Sequence, residues 1–138
     1  FRVSGIYGPN RNPFKKILAG NAYRVDNQNH LFSRIHVRDF SQVLYLSMLS
    51  PNPGRIYNVC DNEPATSSDV VEYAARLLGV DPPPLSALDD IEMSEMAKSF
   101  YSDSKKIRND RIKDELGIVL KFPNYRKGLD SILEEIEN

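Results

Sequence analysis

Eight residues constrain this chain more than any others: Ser33-Arg34-Ile35-His36-Val37-Arg38-Asp39-Phe40. β-Branched Ile35 and Val37 alternate with polar Arg34, His36 and Arg38, the period-two pattern of a strand. On this reading Arg34, His36 and Arg38 share one face. At Asp39, a good helix N-cap, the period changes, and Phe40, Val43, Leu44 and Ser47 or Met48 follow at helical spacing. A strand running directly into a helix sets the polar residues at its carboxyl end beside a helix N-terminus. That is where α/β proteins bind charged small molecules.

Two further strand-to-helix units flank this one. Phe1 to Tyr7 alternates apolar with small or polar residues and breaks at Gly8-Pro9-Asn10, which predicts a buried strand ending in a loop. Gly5, near its carboxyl end, leaves room for a ligand or another backbone. Asn12 as N-cap, Pro13 at the first helical position and Gly20 as stop predict a short helix over Pro13–Ala19. The polar cluster Asp26-Asn27-Gln28-Asn29-His30 between Ala22–Val25 and Leu31-Phe32 predicts a hairpin. Pro51-Asn52-Pro53-Gly54 ends the helix that begins at Phe40. Arg55–Cys60 is the third strand. Thr66 with Asp69 then opens a helix whose stripe is Val70, Tyr73, Ala74, Leu77 and Leu78, closed by Gly79.

Beyond this point the pattern is less regular. Pro82-Pro83-Pro84 predicts an extended surface crossing. Ile91 to Tyr101 reads as a short helix with Met93 and Met96 inward, and Lys105-Lys106-Ile107 as a short extended piece. Asn109 can cap a helix over Asp110–Leu116 that stops at Gly117. Leu129, Ile132, Leu133 and Ile136, at offsets of three, four and seven, predict a final helix over Tyr125–Glu137. The sum is a mixed α/β fold: parallel strands that would complete a larger sheet, plus a small, mostly helical subdomain at the C-terminal end.

Charge and composition exclude several partners. A net charge of -1 gives no electrostatic reason to expect nucleic acid or an anionic membrane surface. No apolar run approaches the roughly 18 residues a span needs. The single cysteine, Cys60, cannot form an internal disulfide, fits a reducing, cytoplasmic setting, and reads as buried. Besides His36 the sequence holds only His30, and no Cys, His and carboxylate set has ligand spacing, so no metal site is expected. The chain opens with Phe1 inside an apolar strand pattern, which predicts that residues 1–138 are the C-terminal portion of a longer polypeptide.

Several motifs, in order, carry a family resemblance. Arg2-Val3-Ser4-Gly5-Ile6-Tyr7-Gly8-Pro9 resembles the strand and loop after the catalytic helix of extended short-chain dehydrogenases/reductases. Arg34 to Asp39 resembles that family's strand entering the substrate domain, and Ile56-Tyr57-Asn58-Val59 a later strand. Leu116-Gly117, Phe122-Pro123 and Gly128-Leu129 resemble its ending. Within the family the resemblance is to the NAD-dependent epimerase/dehydratase group. It implies a substrate-binding half of a nicotinamide-dependent oxidoreductase or epimerase, acting on a small polar substrate, with sugar-like compounds among the options. NAD or NADP would be bound by the longer chain. Neither the glycine-rich turn nor a fitting Tyr–Lys pair is present: Tyr101 and Lys105 stand four apart, but after the substrate-domain strands. No catalytic residue, no cofactor bound by these residues alone, and no turnover are therefore expected.

The resemblance places Val3, Ser4 and Gly5 beside the nicotinamide; packing at a strand end is the plainer alternative. Arg34 could grip a phosphate or carboxylate through its bidentate fork, or make an ordinary surface ion pair. Phe32 occupies the slot where members acting on nucleotide sugars carry an arginine. His36 is a candidate substrate contact, with hydrogen-bonded structure as the alternative. Arg11 and Phe14 follow the Gly-Pro loop where the family's substrate loop runs; a loop arginine and a helix-anchoring phenylalanine are equally natural. Asp39 reads as a cap, and Lys105, Lys106, Arg108, Arg111 and Lys113, among Asp103, Asp110 and Asp114, as a solvated face. An unpaired Phe1–Tyr7 edge predicts self-association. A non-catalytic nucleotide- or partner-sensing relative and a complete small α/β interaction domain are the alternatives.

Overall fold

A computed structural model describes residues 1–27, 29–104 and 106–138. Gln28 of the predicted turn and Lys105, the lysine of the Tyr101 spacing and of the predicted extended piece, lie outside the described residues. The chain forms two compact units: Phe1–Arg11, Ser33–Pro64 and Ile107–Asn138 make the first, Asn12–Phe32 and Ala65–Lys106 the second.

In the first unit the opening strand is two pieces, β1 (Arg2–Val3) and β2 (Gly5–Tyr7). β1 pairs in parallel with β5 (Asn58–Val59), and β2 in parallel with β4 (Arg34–His36). The change of partner falls at Ser4, whose Oγ donates to the Val59 carbonyl at 2.9 Å. The expectation of a buried strand fails in its first half. Phe1 is 56% exposed and Val3 37%, because β1 is paired along one edge only among the described residues.

β4 leads without a loop into α2 (Val37–Leu49), as the change of period predicts. The cap is not Asp39, however. His36 is the N-cap and its Nδ1 accepts from the Arg38 N–H at 3.2 Å. Asp39 instead turns into the core and accepts the backbone N–H groups of Lys121 and Phe122, each at 2.9 Å. Arg38 lies on the helix and pairs with Glu135, so it does not share a strand face with Arg34. Ile35, Val43, Tyr57, Val59, Ile112, Leu116 and Ile118 form the buried core of this unit. The last three come from α5 (Asp110–Asp114) and the segment after it. Asn109 precedes α5 but makes no cap bond; its Nδ2 donates to the Cys60 carbonyl and to Asn62 Oδ1. The final helix, α6 (Tyr125–Glu137), has the predicted bounds.

The second unit supplies the smaller, mostly helical part, but from two middle segments and not from the C-terminal end. α1 (Phe14–Leu18) begins one residue after the predicted start, with Asn12 Oδ1 accepting the Phe14 N–H at 3.0 Å. Among the described residues the arms of the expected hairpin do not pair with each other: β3 (Arg24–Val25) pairs in parallel with β6 (Leu85–Ser86), and Phe32 bridges Ala65. Arg24 reinforces the long-range pairing, donating to the Pro83 carbonyl, Ser68 and Glu72. α3 (Ser67–Leu77) is capped by Thr66, which accepts the Asp69 N–H at 3.0 Å. The predicted helix over Ile91–Tyr101 shrinks to α4 (Glu95–Ser99), and Met96 points outward at 74% exposure. One turn of helix has no buried stripe to hold a methionine inward.

Candidate functional site: a strand fork in the first unit

The parting of the opening strand creates the site. At Ser4 the chain leaves β5, and β4 enters on the side vacated. Gly5 N–H donates to the Ser33 carbonyl at 3.3 Å, and on the other flank of β4 Asp61 N–H donates to the Arg34 carbonyl at 2.7 Å. Tyr7, His36 and Asp61 thus stand at the carboxyl ends of three neighbouring parallel segments. Such ends are where open α/β sheets bind ligands.

Polar groups concentrate there. Asp61 is only 3% exposed; its Oδ1 accepts the Glu63 N–H at 3.0 Å and its Oδ2 has no hydrogen-bond partner among the described residues. Burial pushes the Asp61 carboxyl up to about 7, against the Glu63 N–H and the Arg34 charge, which both favour ionisation. Half-buried Arg34 lies over the Tyr125 ring, 5.9 Å from its centroid. Burial lowers its proton affinity and the Asp61 charge opposes that shift. Tyr7 is held as the neutral phenol, its pKa raised first by burial and next by Asp61. Its hydroxyl donates to the Asn124 carbonyl over a long 3.5 Å and reaches into a gap at Gly128, where a Cβ would lie 2.0 Å from it. Glu63 is paired with Arg126 at 2.5 Å, and Arg126 also stacks on Tyr125, 4.7 Å from its centroid.

The sequence candidates are distributed unevenly. Val3, Ser4 and Gly5 sit at the fork itself: Val3 and Gly5 are exposed, Ser4 is half-buried and tied to Val59. A Cβ on Gly5 would meet the Ser33 carbonyl at an ordinary 3.6 Å. Arg34 is in the cluster. His36 is wholly buried, its ring 4.0 Å from that of Phe122 and edge-on to Tyr7 at 5.2 Å. Burial keeps the imidazole neutral against the pull of Asp39, in keeping with Nδ1 as an acceptor. Arg11 is exposed and exchanges backbone hydrogen bonds with Gly8. Phe14 belongs to the second unit and is 1% exposed, its ring taken up by packing. Cys60 is buried and burial pushes its thiol up to about 11, which makes it inert. Among the described residues no group of acidic, histidine or cysteine side chains could hold a metal ion.

Sequence reasoning missed Asp61 and Tyr7. Both stand at the carboxyl end of a strand that the sequence marked, so the rule that selected Arg34 applied to them too. Asp61 was hidden because the Asp61-Asn62-Glu63-Pro64 run has the composition of a plain loop.

As fitted to a nicotinamide ring, Val3 and Gly5 offer one exposed wall, and nothing in the first unit supplies a glycine-rich phosphate turn. No family model matches the chain. Protein YeeZ of Escherichia coli strain K12 is 31% identical over 126 residues, which is 89% of this chain and 40% of YeeZ. The structure of a conserved protein of unknown function from Silicibacter pomeroyi is 51% identical, with a TM-score of 0.93 over 98% of this chain and 48% of that one. Human epimerase family protein SDR39U1, solved with NADPH, shares the fold with a TM-score of 0.79 at 16% identity, over 96% of this chain and 47% of its own. The chain thus spans less than half the length of these relatives. No described helix is long and apolar enough to cross a membrane. By fold, the chain is similar to Rossmann-like epimerase and dehydratase structures, which it matches over 43–47% of their length at 13–20% identity.

Proposed function

We propose that residues 1–138 are the substrate-binding half of a nicotinamide-dependent oxidoreductase or epimerase, and that the fork in the first unit holds a small polar substrate through an anionic group. The observation that carries this reading is Arg34. Its guanidinium is drawn partly out of water at the carboxyl ends of parallel strands, 5.9 Å from the centre of the Tyr125 ring and under the influence of the Asp61 charge. A planar fork in that setting suits a phosphate or a carboxylate. The exposed Val3 and Gly5 backbone would form the wall facing a nicotinamide ring of NAD or NADP, while the phosphates of such a cofactor would rely on residues outside this chain. Arg11, on the loop after β2, would reach the outer part of the substrate. A single buried cysteine accords with a cytoplasmic setting.

Hydride transfer needs a bound nicotinamide and a placed acid or base. The candidate groups here are Tyr7 and Asp61, whose pKa values burial raises, the latter to about 7, and His36, whose pKa burial lowers; among the described residues none is hydrogen-bonded to a lysine. The chain alone is therefore proposed to bind and not to turn over. Calorimetric titration with glucose 1-phosphate should show weak binding that Arg34→Gln abolishes and Arg34→Lys only reduces, and NADH or NADPH should not be oxidised alongside. Equal binding by Arg34→Gln would remove the substrate reading; genuine turnover would remove the inactivity.

A further inference from the structure

We propose that Asp61 is the positioning partner of Arg34 and that anion binding at the fork is coupled to proton uptake by Asp61. This rests on the assignment of Arg34 to an anionic group made above. The geometry is specific. The Asp61 N–H is bonded to the Arg34 carbonyl at 2.7 Å, which fixes the two residues side by side across adjacent extended segments. The Asp61 side chain is buried, with one oxygen satisfied by the Glu63 N–H and the other without a hydrogen-bond partner among the described residues. A buried carboxylate with an unsatisfied oxygen is costly, and protonation removes the larger, charged part of that cost.

The charged and titratable groups that face Asp61 leave it poised. Arg34 of β4 favours the ionised form. Glu63 on its own loop and Asp39 of α2 oppose it, as does burial. Tyr7 of β2 is neutral, and Glu63 has its charge engaged by Arg126 of α6. Lys113 of α5 reaches the same loop through Asn62. His36 is buried and burial lowers its proton affinity.

Two states follow. With Asp61 ionised, its charge compensates Arg34, and an incoming anion meets a neutral pair. With Asp61 protonated, that compensation is lost and Arg34 attracts the anion more strongly. An anion seated on Arg34 disfavours the Asp61 charge in turn, so binding and protonation strengthen each other by the same factor. Binding above neutrality then takes one proton from solvent onto an Asp61 oxygen, and no other bond changes.

Sulfate is the proper probe, because it stays a dianion across the range. Titration of the purified protein between pH 6 and pH 8.5 should show affinity falling toward a limit of about tenfold per pH unit once Asp61 is ionised. Calorimetry in two buffers of different ionisation enthalpy should report uptake of up to one proton per sulfate at the upper end. Asp61→Asn, isosteric with the protonated acid, should keep the low-pH affinity at every pH and take up no proton. Sulfate binding that needs Arg34 but is flat with pH and proton-neutral in the unaltered protein would overturn the coupling and leave the Arg34 assignment standing. Binding unchanged in Arg34→Gln would overturn both. The two-buffer measurement needs no variant, so a poorly folding Asp61→Asn would not protect the proposal.

Discussion

Asp61 and Gly128 show how single positions set the behaviour of the fork. A folded-state carboxyl raised to about 7, against an ordinary 3.8, binds its proton more tightly in the native than in the unfolded chain. Its contribution to stability is therefore full below pH 4, declines as pH rises, and is gone above about 7. Asp61→Asn should flatten that slope and raise stability at pH 8, by no more than about 4 kcal/mol. Urea denaturation of both forms at pH 5 and pH 8 measures it; parallel pH profiles would refute it. At Gly128 a methyl group would strike the Tyr7 hydroxyl at 2.0 Å and the ring itself at 2.6 Å. Tyr7 is packed on His36, so it cannot swing away freely. Gly128→Ala should cost about 1–3 kcal/mol, seen as a lower Tm, with Tyr7→Phe restoring only part. At this scale the sequence named Arg34 but not its neighbours. Residue type marks a candidate fork, whereas the burial that perturbs Asp61 arises from segments well separated in the chain.

Among the elements, the most legible were those whose signals are local. α3 and α6 carry long apolar stripes with side-chain caps at Thr66 and Asn124, and their bounds follow from the sequence. Thr66→Ala should destabilise the second unit by about 1 kcal/mol, measurable by thermal melting. The start of α2 was misread for an instructive reason. Asp39 is a good cap by type, yet two backbone N–H groups of the Lys121-Phe122 turn, 82 and 83 positions away, have a stronger claim on it. Asp39→Ala should leave both buried or half-buried donors unmatched and cost on the order of 3 kcal/mol in chemical denaturation. Asp39→Asn, which keeps an acceptor oxygen, should cost less. The lost hairpin has the same origin. A polar turn cluster favours reversal locally, but Arg24 binds Ser68, Glu72 and Pro83 and commits β3 to β6.

At the scale of the whole chain, the parallel α/β character and the likeness in fold to epimerase and dehydratase structures were readable because the strand motifs occur in order along the chain. The division into two units was not, since each is assembled from separated segments and no composition shift marks the crossings. The β1 edge away from β5, with Phe1 and Val3 exposed, is proposed to mediate self-association. Light scattering should show mass rising with concentration, and Val3→Lys should suppress it; a constant monomer mass would contradict this. The central claim is that the fork grips an anionic substrate group, and amide chemical shifts test it most directly. On titrating the 15N-labelled protein with glucose 1-phosphate, the amides of Gly5, Arg34 and Asp61 should shift together, and those shifts should vanish in Arg34→Gln. Shifts confined to residues away from the fork, or unaltered by that substitution, would contradict it.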